Sequence, residues 1–156
     1  MDYASVNQIG HWDINTSDWE SKPGLLSHGS LVCREMRQIR LALVEDDACI
    51  AAAIMEILKQ WQDLDVQQFE YAEEAYQAIF IHPPDLLILN VRLAGKMNGI
   101  ELADRIRTRL SIPMILITGE MRPSLPAAFL QMPELNLLPK PFLPFQLVQA
   151  IDKMLS

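Results

Sequence analysis

The sequence predicts an α/β domain built on a parallel sheet, and three observations carry the prediction. From Ile39 onward, short apolar runs alternate with segments whose apolar residues recur at helical spacing, which is the sequence form of repeated β-α units. Two runs, Leu86-Leu87-Ile88-Leu89 and Met114-Ile115-Leu116-Ile117, are apolar without interruption, as strands covered on both faces must be. Polar residues of chemical use stand where the runs stop, at the strand ends where open parallel sheets collect their functional groups.

The predicted strands are Ile39 to Val44, Val66 to Phe69, Asp85 to Asn90, Met114 to Thr118 and Leu135 to Leu138, with the third and fourth at the centre of the sheet. Between them, Ile50, Ile54, Ile57, Leu58 and Trp61 mark one helix. Ala72, Ala75, Tyr76, Ile79 and Phe80 mark a second, and Ile100, Ala103, Ile106 and Leu110 a third. The last helix carries Leu143, Leu147, Ile151 and Leu155, and Pro144 fits its first turn because the amides there lack intrahelical partners. Five β-α units result, spanning residues 39–156. Residues 1–38 lack periodicity and form an extension, either mobile or interface-forming, with Trp12 and Trp19 as candidate anchors and a helical turn over Ser30 to Gln38.

A chain of 156 residues, half of them apolar, suffices for one domain and a tail. Its formal charge of −7 argues against direct binding to nucleic acid or an anionic membrane, both of which require a basic surface. Cys33 and Cys49 lack metal-ligand spacing and read as free thiols in a cytoplasmic protein, Cys49 packing as a small apolar residue in its helix. No stretch has the form of a secretion signal or a membrane span. His11, His28 and His82 are scattered and receive no role.

At the strand ends stand Glu45-Asp46-Asp47, Asn90, Thr118 and, just past the fifth strand, Lys140. The acidic run alone is equally an N-terminal cap for the first helix. Joined by a further oxygen ligand, a hydroxyl and a lysine, it suits a Mg²⁺ ion bridging to a phosphoryl group.

Across Ile39 to Ser156 the chain resembles the receiver domains of two-component response regulators. The resemblance rests on Leu43-Val44-Glu45-Asp46-Asp47, the strand Pro84 to Leu93, Asn98-Gly99-Ile100-Glu101-Leu102, Ile117-Thr118-Gly119 and Leu138-Pro139-Lys140-Pro141-Phe142. It implies a flavodoxin-like (βα)5 three-layer sandwich with strand order 2-1-3-4-5. It further implies metal binding by Glu45, Asp46, position 90 and the backbone carbonyl of Arg92, phosphoryl contacts from Thr118 and Lys140, and a cis Lys140–Pro141 bond.

Three departures qualify it. Asn90 stands where the family has its phosphate-accepting aspartate, and a neutral amide is a poor nucleophile. It also removes a charge, so Mg²⁺ binding is expected to be weak or lost, while its two amide donors can instead bond Glu45 or Asp46. Leu137, at the switch position, replaces the aromatic residue that changes rotamer in relatives, and packing in the core or at the sheet edge is its plainer reading. Pro123, Pro126 and Pro133 interrupt the region of the fourth helix, which must be short or displaced. Leu125, Phe129, Leu130 and Met132 then form an exposed partner surface, or else pack inward. Arg92 and Lys96 are candidates to neutralise the acidic pocket.

The reading is an atypical, stand-alone receiver of a bacterial-type phosphorelay, not an enzyme, acting through protein contacts without phosphorylation at Asn90. Its expected partners are a histidine kinase, another receiver or a downstream regulator, met on the fourth and fifth predicted helices and fifth strand, with a homodimer as a further option. The alternatives are a conventional phosphoaccepting receiver into which Asn90 was introduced, and a small phosphohydrolase or nucleotide-binding domain. The latter lacks its Gly-rich loop or Asp-x-Asp pair.

Overall fold

The structure, a computed structural model, describes residues 38–120 and 125–156. The expectations for the N-terminal extension, including Trp12, Trp19, Cys33, His11 and His28, lie outside the described residues, as do Pro123 and the side chain of Leu130.

Five strands, β1 (Ile39–Val44), β2 (Leu64–Phe69), β3 (Leu86–Asn90), β4 (Met114–Thr118) and β5 (Leu135–Pro139), form one parallel sheet in the order β2-β1-β3-β4-β5. The helices are α1 (Ala48–Leu58), α2 (Ala72–Ile81), α3 (Gly99–Arg107) and α4 (Pro144–Leu155). All five residues of β3 and all five of β4 are buried, as their unbroken apolar runs predict.

Side-chain alternation divides the core into two layers. Leu41, Leu43, Leu86, Ile88, Ile115 and Ile117 pack with Ile54 and Leu58 of α1 and Leu147 and Ile151 of α4. Ala42, Val44, Leu87, Leu89, Met114 and Leu116 pack with Ala75 and Ile79 of α2 and Leu102 and Ile106 of α3. Each fully buried leucine or isoleucine contributes about 1.5–3 kcal/mol relative to exposure, which makes this two-faced burial the main force for the sheet.

The register aligns the carboxyl ends of the inner strands. Val44 pairs with Phe69 and Leu89, Asn90 with Ile117, and Thr118 with Pro139. The residues that close each strand therefore face one another along a single edge.

The expected fourth helix is absent among the described residues, where only a 3-10 turn, Phe129–Gln131, stands between β4 and β5. Pro126 accepts the turn's first hydrogen bond from Phe129 N and Pro133 follows its end, leaving no room for a longer helix. Of the two expectations for these apolar residues, inward packing describes Phe129, Leu125 and Met132 and the exposed surface does not. Phe129 is only 1% exposed and joins the core of the α2/α3 face, with Leu125 and Met132 partly buried against it. The turn's own side chain fills the space over this part of the sheet, and the Arg107 guanidinium lies 5.2 Å from its ring centre.

Smaller differences follow local packing. β2 begins at Leu64, two residues before the predicted strand, and Trp61 and Leu110 lie just past their helices. Leu143 caps α4 from outside and is 59% exposed, while Cys49 is an exposed free thiol in α1 rather than a packed one. Leu137 sits on the edge strand β5 with its side chain largely outside the core.

Candidate functional site

The acidic run after β1 divides its work. Asp47 is the N-cap of α1, accepting hydrogen bonds from the amides of Cys49 at 2.8 Å and Ile50 at 3.0 Å. Glu45 and Asp46 turn instead toward the sheet edge, where Glu45 is buried to 2% exposure.

Asn90 ends β3 and is itself buried. Its Nδ2 donates to Oε1 of Glu45 at 2.9 Å, to Oδ1 of Asp46 at 3.1 Å and to the carbonyl oxygen of Arg92 at 2.7 Å. One amide nitrogen thus stands at the meeting point of the three oxygens expected to hold a cation. The amide's orientation follows from chemistry, since turning Oδ1 inward would set it against two carboxylates.

Charge compensation comes from Lys140, whose Nζ lies 3.0 Å from Oε2 of Glu45. The expected role of Arg92 as a neutraliser is corrected, since its side chain is 81% exposed and pairs with Glu120 at 2.7 Å. Lys96 meets the neighbouring helix through its backbone, its amide donating to Oε1 of Glu73 at 2.7 Å. The Arg92 carbonyl faces the pocket, where it accepts from Asn90 Nδ2. Lys140–Pro141 is cis, and the Lys140 amide donates to the Thr118 carbonyl at 2.6 Å, which ties the lysine segment to the end of β4. The Thr118 hydroxyl accepts from the amide of Glu120 at 3.0 Å.

The loop after β3 is held closely to this site. Ala94 N donates to Oδ2 of Asp46 at 3.1 Å, and Gly99 N donates to the Val91 carbonyl at 3.0 Å. Gly99 opens α3 directly against the Asn90 backbone, where a Cβ would fall 2.0 Å from the Asn90 carbonyl oxygen, so only glycine fits. Asn98 caps α3 in a reciprocal box with Glu101.

Sequence reasoning missed Glu73, in the first turn of α2. Its Oε1 accepts from the amides of Lys96 at 2.7 Å and Met97 at 3.0 Å. The amides of Glu73 itself and of Lys96 hold its carboxyl below the ordinary glutamate range. A carboxylate received by backbone amides more than twenty positions away leaves no motif; an acid in the first turn of a helix was the only signal available.

The oxygens of Glu45, Asp46 and the Arg92 carbonyl are of the type that Mg²⁺ takes. As arranged they do not fit the ion, because Asn90 Nδ2 fills the space between them at hydrogen-bond distance from all three. Among the described residues there is also no group of three or more acidic, histidine or cysteine side chains to hold a metal, and no helix long and apolar enough to cross a membrane.

The response regulator receiver domain family matches residues 41–152. The chain is 26% identical over 117 residues to the transcriptional regulatory protein PdtaR of Mycobacterium tuberculosis, covering 75% of this chain and 57% of that protein. It is 28% identical over 116 residues to the sensory transduction protein LytT of Bacillus subtilis, covering 74% and 47%. The chain thus spans about half the length of the curated relatives it matches. Among solved structures, the signal receiver domain of a modulated diguanylate cyclase from Desulfovibrio desulfuricans superposes with a TM-score of 0.64 at 25% identity, covering 74% of this chain and 92% of that one. The N-terminal domain of a response regulator/sensory box/GGDEF protein from Carboxydothermus hydrogenoformans gives 0.66 at 20% identity, covering 74% and 93%, a likeness of fold.

Proposed function

The chain belongs to the response regulator receiver domain family, and from that premise we propose that it works in two-component signalling by protein contact, without accepting a phosphoryl group at Asn90. The observation that carries this is the position of Asn90 Nδ2 among the oxygens of Glu45, Asp46 and Arg92. A carboxylate attacks phosphorus through a charged oxygen, whereas an amide's lone pair is delocalised and its product would be unstable. Here the amide also serves as the pocket's internal donor, a structural task that an ionised aspartate cannot perform. Thr118 and Lys140, the residues suited to phosphoryl oxygens, remain at the site, with Lys140 engaged by Glu45. Mg²⁺ binding is weakened because the ion must displace a three-way hydrogen bond and finds one negative charge fewer.

Its partner is a histidine kinase, another receiver or a downstream regulator. Apolar surface supports binding where α1 meets the start of α4. Leu143 and Phe145 are 59% and 55% exposed, and Ile50, Ala53, Ile57 and Phe142 line an adjoining groove. The test of the closed pocket is a Mg²⁺ titration followed by the side-chain amide resonances of Asn90. On this reading they show no saturable change below millimolar Mg²⁺, and a saturable shift at micromolar Mg²⁺ would refute it.

A further inference from the structure

We infer that Glu73 is a positioning residue for the pocket, setting from α2 the path of the loop that carries Arg92 and Ala94. Its Oε1 takes both the Lys96 and the Met97 amides. Its Oε2 is buried without a hydrogen-bond partner, so Oε1 makes the carboxylate's hydrogen bonds to the loop. The loop is shaped to receive it. Gly95 adopts φ +110°, and a Cβ there would lie 3.0 Å from Oε2, so the carboxylate packs against bare backbone. On its other side the same loop meets the pocket, where Ala94 N donates to Asp46 at 3.1 Å and the Arg92 carbonyl accepts from Asn90 at 2.7 Å. Glu73 and Asp46 thus hold the loop from opposite ends of a four-residue stretch. Removing the outer acceptor leaves two amides unpaired and frees the loop to carry Ala94 and the Arg92 carbonyl away from the pocket.

This inference rests on the closed-pocket reading, and the two fail separately. Asn90 amide resonances at the position of exposed asparagine in the unaltered chain refute the reading, whereas their response to change at Glu73 decides the inference. Amide exchange and side-chain amide shifts are measured by NMR on the full chain and on Glu73→Ala, Glu73→Gln and Gly95→Ala. In Glu73→Ala, exchange at Lys96 and Met97 rises about tenfold or more, exchange at Ala94 rises with it, and the Asn90 resonances move toward exposed values. Glu73→Gln, which keeps an accepting oxygen, restores most of this. Loss of protection confined to Lys96 and Met97, with Ala94 and Asn90 unmoved, overturns the proposal by reducing Glu73 to a local cap. If Glu73→Ala fails to fold, Gly95→Ala decides. Its Cβ crowds the Glu73 carboxylate and also strains the loop backbone at φ +110°, so unchanged values at both Ala94 and Asn90 overturn the proposal.

Discussion

Nδ2 of Asn90 donates to Oε1 of Glu45 across 2.9 Å in a part of the site where Glu45 is only 2% exposed. A buried carboxylate is costly unless each oxygen finds donors or a cation. Glu45 has both, since Oε1 takes Asn90 and the amide of Asp47 at 3.1 Å while Oε2 takes Lys140 at 3.0 Å. Glu45 is therefore fully partnered by residues of the site itself.

Replacing Asn90 with aspartate removes the shared donor and adds a third carboxylate beside Glu45 and Asp46. The variant should lose about 1–3 kcal/mol in metal-free buffer, measured by denaturant unfolding. Added Mg²⁺ should then raise its Tm, because a ligand that binds only the native state stabilises it. An equal Mg²⁺-dependent rise in the unaltered protein would show that Asn90 does not fill the cation's place.

Lys140→Met strips Glu45 of its ion partner. Lys140 is itself partly solvated, at 21% side-chain exposure, so the loss should fall below that of a fully buried pair, at about 1–3 kcal/mol. Combining it with Glu45→Gln should recover part of the loss in a double-mutant cycle. Strict additivity would mean that the two residues are not coupled.

Phe129→Ala tests the corrected account of the segment between β4 and β5. A ring that is 1% exposed and lies beneath Arg107 should cost about 3–5 kcal/mol on truncation. A loss under about 1 kcal/mol would return Phe129 to the surface.

Acid should loosen the loop after β3. The folded pKa of Glu73 is lowered, chiefly by its own amide and that of Lys96. Its contribution is therefore complete above the unfolded value and is lost as pH falls through the folded one. Chemical shifts of the Lys96 and Met97 amides should titrate together with a midpoint below the ordinary glutamate range. A midpoint within or above that range contradicts the assignment.

Much of this was legible in the chain itself, for identifiable reasons. Doubly covered strands must be continuously apolar, and Leu86 to Leu89 and Met114 to Ile117 are. An in-register parallel sheet brings strand ends together, which made Glu45, Asn90, Thr118 and Lys140 readable as one site. Prolines exclude helix, so the weakness after β4 was visible at Pro126 and Pro133. Their consequence was not, because whether Phe129 turns outward or inward depends on the space left over the sheet. Glu73 was equally hidden, since its partners are backbone amides, which every residue type but proline possesses. The pairing of Arg92 with Glu120 rather than with the acidic pocket depends on where two loops come to rest, which periodicity does not encode.

The central claim, that the pocket is recognisably a receiver's but does not accept phosphate, is tested most directly by intact mass analysis. The unaltered protein and its Asn90→Asp variant are incubated side by side with a small-molecule phosphoryl donor and Mg²⁺. The account predicts no added phosphoryl mass on the unaltered protein under conditions that label the variant. A stable phosphoryl adduct on the unaltered chain, mapped to the pocket around Asn90, would contradict it.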